Sequence, residues 1–415
     1  MSSEVTNKTT LEPSLENSAA SQLLPDETFS QAFMSRLRRG DVGMLPSILM
    51  LIVIIVVFEY VSAGVFLYPR NLSNMVLQQS YVAVIALAAV IVLLLAEIDL
   101  SLAAVAYFCG AVMTVLSTFH HWAAAPAMLA ALVTGCIIGL VNGIFSAVLR
   151  IPSFIVTLGT FLIASGLLLL IEYPNTSIRL NDPFVLGILN GYVIFPWDVL
   201  SPIPFILIYA LGLFYQRSQR IKLGLRPEPQ WSIWTKLSVI VALTAIALFI
   251  FENALGVPYV LYVMLGITLL LWLMLRFTAF GRHIYAVGGN PEAARRAGIR
   301  VTALRISVFA LASTLAAAGG ILLCSETGTA PTGIDPSLLL LSIAIAVIGG
   351  VSLFGGRGSV WGMLMGLVII GSLTNGLALF PSNNGSYQFI LEGVVLLLAV
   401  FLDAIVRRRN AVSGR

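Results

Sequence analysis

Hydrophobic runs of roughly 20 residues, each long enough to cross a bilayer as a helix, recur along the chain from near residue 46 to near residue 405. That repetition excludes most folds. No water satisfies backbone N–H and C=O groups inside the hydrocarbon, so spanning segments are helices or closed barrels. A barrel alternates apolar and polar residues over strands of about ten, and no such alternation occurs here. Of the 415 residues, 59% are hydrophobic and 10% charged, whereas a soluble domain carries about 25% charged residues. The expected fold class is all-α: a polytopic transmembrane helical bundle.

The hydropathy pattern predicts twelve spans, near 46–67, 76–96, 102–119, 123–149, 153–172, 203–216, 237–252, 258–275, 304–323, 338–354, 359–379 and 387–405. Positive charge orients them, because Lys and Arg gather in cytoplasmic loops. With the N-terminus inside, only Arg70 and Arg179 of the 23 Lys and Arg residues fall outside, and Lys8 lies in the remote tail. Both termini are therefore expected in the cytoplasm. Residues 1–43, rich in Ser, Thr, Asn and Glu, read as a disordered tail with no cleavable signal at its start. Residues 44–406 form the membrane domain, with a cytoplasmic segment at 276–304, and residues 407–415 a basic tail. The outer loop at 173–200 reads as a connector or a docking surface.

The net charge of +4 follows from these inner loops, so no nucleic-acid partner is inferred. Cys109, Cys136 and Cys324 lack metal-binding spacing and read as small packing residues. His120 and His121 are adjacent and His283 stands alone, so no catalytic or metal set emerges. The run GGVSLFGGRGS, with Gly349, Gly350, Gly355 and Gly356, lacks the lysine of a phosphate-binding loop. Its glycines suit tight turns or close packing, and a short re-entrant segment is possible there. The chain carries no visible ATPase, so energy must come from a partner or an ion gradient.

Several polar residues lie in or beside spans. Asp99 and Glu97 close the second, where Asp99 suits the holding of a neighbouring helix end. Glu59 falls in the first and Glu392 in the last, and charge inside a span is costly enough to face the bundle or a cavity. Asn142, Thr157, Thr160 and Asn375 either line a pathway for a hydroxylated solute or join helices. Asn142-Gly143 and Asn375-Gly376 sit in comparable Gly-rich spans, as an internal repeat would place them.

The cytoplasmic passage RHIYAVGGNPEAARRAGIRV, residues 282–301, is too polar for lipid. Asn290 suits a helix cap, Pro291 the first helical position and Glu292 the positive end of the dipole. Ala293 and Ala294 propagate the turn, and Gly298 suits a left-handed stop. A helix of about seven residues is marginal alone. It either packs on its own bundle or docks on a partner through Arg295 and Arg296.

This passage resembles the cytoplasmic motif of sugar-type ABC importer permeases, the ribose, galactose and xylose permease family. IDLSLAAV (98–105), GLVNGIFSAVLRIPSFIVTLGT (139–160) and the block from Ala330 to Phe380 resemble further family segments in the same order. Residues near 200–257 resemble the extra pair of spans of the xylose-type branch. Leu339 and Leu341 stand where the family usually has an acidic pair. The resemblance implies a non-catalytic permease subunit that translocates a monosaccharide or similar polar solute inward by alternating access. It implies residues 290–298 as the coupling helix to a separate ATPase subunit that binds ATP, an extracytoplasmic solute-binding protein, and a permease homodimer. No cofactor or metal is expected on this chain. An ion-coupled secondary carrier, with Glu59 and Glu392 as coupling acids, is the alternative reading.

Overall fold

A computed structural model describes residues 45–174, 177–225, 227, 229–379, and the isolated positions 387, 390, 393, 394 and 397. The chain divides into two units, Met1–Leu49 and Met50–Arg415. Of the first, only residues 45–49, the opening of a helix, are described. The second is helical: α1 (Leu45–Val61, completed from Met50), α2 (Pro69–Leu94), α3 (Leu102–Phe119), α4 (Ala124–Ala147), α5 (Ser153–Glu172), α6 (Pro183–Asn190), α7 (Trp197–Leu200), α8 (Pro202–Lys222), α9 (Gln230–Glu252) and α10 (Tyr259–Phe277). Then follow α11 (Ala279–Gly289), α12 (Pro291–Arg296), α13 (Val301–Thr327), α14 (Pro336–Ile348) and α15 (Val360–Ala378).

Among the described residues nine helices are long and apolar enough to cross a membrane, and two shorter apolar helices, Ser47–Val61 and Pro336–Ile348, join them. They coincide with eleven of the predicted spans. The span near 387–405, with Glu392, lies almost wholly outside the described residues, as do the tails at 1–43 and 407–415.

Boundaries differ where hydropathy and helix formation part company. α8 and α9 are longer than the runs at 203–216 and 237–252. Their polar ends, Gln216–Lys222 and Gln230–Lys236, continue the helix because Gln, Arg and Lys form helices well. α14 stops at Ile348 rather than 354, since Gly350 turns the chain at φ 87°. α13 runs past 323 to Thr327, where Gly328 closes it in the left-handed region at φ 66°. The described residues 177–200 form further elements. Asp182 caps α6 by accepting from the Phe184 and Val185 amides, and β1 (Tyr192–Val193) pairs antiparallel with β2 (Val257–Pro258).

α13 is the axis of the bundle, packed by α2, α3 and α4. Without a hydrophobic drive between helices in lipid, close backbone approach through small residues supplies the adhesion. Gly135, Gly139 and Gly143, spaced by four, place one face of α4 directly on α13. A Cβ at Gly143 would stand 2.6 Å from the Ile306 Cα, and one at Gly135 2.6 Å from the Ser313 carbonyl oxygen. Cys109 and Cys324 are buried at the α3–α13 contact, beside Gly110, and Cys136 is half-buried. α8 has no buried residue and α9 only Ile233, Leu237 and Phe251, so the hairpin presents apolar surface outward, as a lipid-facing pair does.

Candidate functional site: a short capped helix on a three-way junction

α12 is built as its residues dictate. Asn290 Oδ1 accepts from the Ala293 amide at 3.0 Å, and Pro291 opens the helix. Gly298, at φ 86°, ends the turn beyond it, and the Ile299 amide returns to the Ala294 carbonyl at 3.1 Å. Ala294 alone of Pro291–Gly298 is buried. Pro291, Glu292, Ala293, Arg295 and Arg296 are exposed, and Arg295 makes a 3.6 Å pair with Glu292 in solvent. One small side chain thus seats the helix, and the rest of its surface is open.

The preceding helix α11 is held hard. The backbone of Gly288 lies against the end of α2: a Cβ there would overlap the Leu94 carbonyl and stand 2.7 Å from the Gly356 nitrogen. Gly356 donates its amide to the Leu94 carbonyl at 2.9 Å. Gly355 approaches Ala96 and the Gly288 carbonyl so closely that its Cβ would stand 2.6 and 2.8 Å away. Tyr285 Oη donates to the Gly358 carbonyl at 3.0 Å. Residues 349–358 therefore form no phosphate cradle. They make a turn, with Gly350, Gly355, Gly356 and Gly358 at positive φ, that locks α11 to the end of α2. Gly349 packs on Met363 and Gly362 of α15.

The connection from α2 to α3 carries a second set of bonds. Asp99 is buried; its Oδ1 accepts from the Ser101 amide at 2.8 Å and the Ser101 hydroxyl at 2.6 Å. Asn142 donates to Ser101 Oγ at 3.1 Å and accepts from Thr160 Oγ1 at 2.5 Å. Thr157 Oγ1 receives the Leu100 amide at 3.0 Å. Asn142 and Thr157 are fully buried, so in this conformation Asn142, Thr157 and Thr160 tie α4 and α5 to the connection. Burial pushes the Asp99 carboxyl up to about 6, against the opposing pull of the Ser101 bonds. Its Oδ2 has no partner among the described residues. Two residues before Asp99, Glu97 pairs with Arg305 of α13 at 2.8 Å.

Asn375 does not join that set. It exchanges reciprocal amide bonds with Asn71 at 2.8 and 3.2 Å, at the far end of α2. Glu59 sits in the last turn of α1 rather than mid-span and accepts from the Leu67 amide at 2.9 Å. Sequence reading missed Ser101, Asn71, Arg305 and Tyr285. Ser101 had a signal, following Asp99 by two in an Asx-type spacing; the others are joined to their partners only by the fold.

A bundle of apolar helices knitted by small residues, with a capped polar helix presented at one end, defines a polytopic helical membrane protein. The chain matches the family described as branched-chain amino acid transport system / permease component over residues 71–400, and it belongs to that family. It is similar to the xylose transport system permease protein XylH of Haemophilus influenzae, 31% identical over 89% of this chain and 98% of the relative. XylH of Escherichia coli is 32% identical over 91% and 95%, and the ribose import permease protein RbsC of Escherichia coli 32% over 86% and 92%. No solved structure matches the chain. It is a multi-pass protein of the bacterial inner membrane.

Proposed function

We propose that this chain is the permease subunit of an ATP-driven importer of a monosaccharide or similar polar solute. The observation that carries the reading is α12, a helix too short to stand alone, capped, exposed and seated by Ala294 beside α11 and α13. Residues 290–298 offer a separate ATPase subunit a small surface edged by Arg295 and Arg296. ATP binds on that partner. Movement of α12 passes through Gly288 to the end of α2 and, through Gly355 and Gly356, to α14 and α15. Two permeases, with a solute-binding protein on the outer face, complete the assembly, and alternating access carries the solute inward. Relatives named for xylose, ribose and fructose support a sugar cargo.

Uptake in liposomes, with the ATPase present or absent and with ATP or an ion gradient alone, tests this. Uptake is expected to require both ATP and the ATPase, and Arg295→Glu with Arg296→Glu is expected to abolish it while insertion is retained. Gradient-driven uptake without a partner would overturn it.

A further inference from the structure

We propose that Glu326 and Tyr81, backed by Tyr107 and Asp335, form a seat for the hydroxyl groups of a neutral polyhydroxylated solute at the end of the bundle opposite α12. The seat deepens the functional reading above and rests on it.

The placement follows from backbone packing. A Cβ on Gly319 of α13 would stand 3.3 Å from the Tyr81 carbonyl oxygen of α2, and one on Gly320 would overlap the Ala106 carbonyl of α3. Tyr81 and Tyr107 therefore flank α13 at one level, from two different helices. Glu326 lies seven residues beyond Gly319, which is two turns further along the same face of α13. The Tyr81 phenol is within electrostatic reach of Glu326, Tyr107 and Asp335, and the Tyr107 phenol within reach of Asp335. Four polar groups from three helices and one helix cap thus converge.

One of them is already committed. Asp335 caps α14, accepting from the Ser337 amide at 2.8 Å and its hydroxyl at 2.7 Å. Glu326 and Tyr81 make no hydrogen bond among the described residues, and both are half-buried rather than sealed. An ionisable group in an otherwise apolar bundle is costly, and a functional partner is its default explanation. A free carboxylate accepts two hydroxyl bonds, a phenol both donates and accepts, and the ring face covers C–H groups. A neutral polyol matches that set. Hydropathy placed the end of this span at 323, which put Glu326 outside it; the helix continues to Thr327.

The test uses the full permease reconstituted with its ATPase and binding protein, and D-xylose, D-ribose and 2-deoxy-D-ribose as probes. Glu326→Gln and Tyr81→Phe, both close in shape to the parent, are expected to lower the sugar moved per ATP, the first about tenfold through the loss of a charged acceptor and the second by less, since a phenol's bond to a hydroxyl is neutral. ATP hydrolysis is expected to persist, and the variants are expected to discriminate less between ribose and its deoxy analogue. Glu326→Asp is expected to restore part of the ratio. Unchanged sugar per ATP in the Glu326→Gln, Tyr81→Phe double variant overturns the seat. So does a fall of hydrolysis and uptake in step, which marks a structural role. If the unsubstituted assembly moves none of the sugars, the functional reading falls with it.

Discussion

The carbonyl of Leu94, the last residue of α2, accepts the Gly356 amide at 2.9 Å while the Gly288 backbone lies directly against it. Three segments distant in sequence meet on one oxygen, and neither glycine has room for a side chain there. Gly288→Ala places a methyl group into the Leu94 carbonyl. Overpacking of this kind costs about 1–3 kcal/mol. The expected outcome is a lower melting temperature in detergent and a transport loss larger than that of Gly289→Ala, whose Cβ meets nothing within 4 Å.

Asn142 joins α4 to Ser101 and Thr160 with both ends of its amide. Asn142→Ala is expected to destabilise the bundle by about 1–3 kcal/mol, since it removes two buried hydrogen bonds and leaves the Thr160 hydroxyl without its acceptor. Thr160→Val removes one donor and is expected to cost less. Thermal unfolding of the purified variants measures both.

The Asp99 carboxyl, raised by burial from its ordinary 3.8 to about 6, makes stability depend on pH. Between those values the folded state binds the proton more tightly than the unfolded state. The contribution is therefore greatest below about 4 and is lost as pH rises towards and through about 6. Asp99→Asn is expected to flatten the melting temperature across that window, while a parent-like slope in the variant would assign the dependence to another group.

Two ion pairs near the junction differ in worth. Arg305–Glu97 is 2.8 Å with side chains 31% and 12% exposed, whereas Arg295–Glu292 is 3.6 Å with 63% and 67%. A double-mutant cycle on the first is expected to give a coupling above the roughly 0.2–1 kcal/mol of exposed pairs. Glu292→Ala is expected to leave thermal stability unchanged.

Local chemistry was legible where neighbours in sequence supply it. Asn290, Pro291 and Gly298 do in α12 what their residue types suit them for. Eleven spans were visible because hydrocarbon demands length and apolarity alone. What escaped was contact between distant segments. The glycines at 349–358 announced a turn, yet nothing in their order named Leu94 or Gly288 as its floor. Asn142 and Thr157 have side chains that suit a pathway and a helix joint equally, and only their burial places them in a joint here. Helix ends were misjudged where polar helix formers, such as Gln216–Lys222, extend beyond the greasy run.

α14 has 13 residues, which at about 1.5 Å each span about 20 Å, well short of the roughly 30 Å hydrocarbon layer. The glycine turn that continues it is half-buried, with Val351 sealed and Gly350, Phe354 and Arg357 exposed. For anyone labelling this protein, the two kinds of connection are unequal. A fluorophore or epitope inserted at 223–225, where every side is open, leaves the bundle intact. The same insertion between Ser352 and Arg357, whose backbones are bonded to each other at 3.0 Å, is expected to pull Gly355 and Gly356 away from α2 and α11.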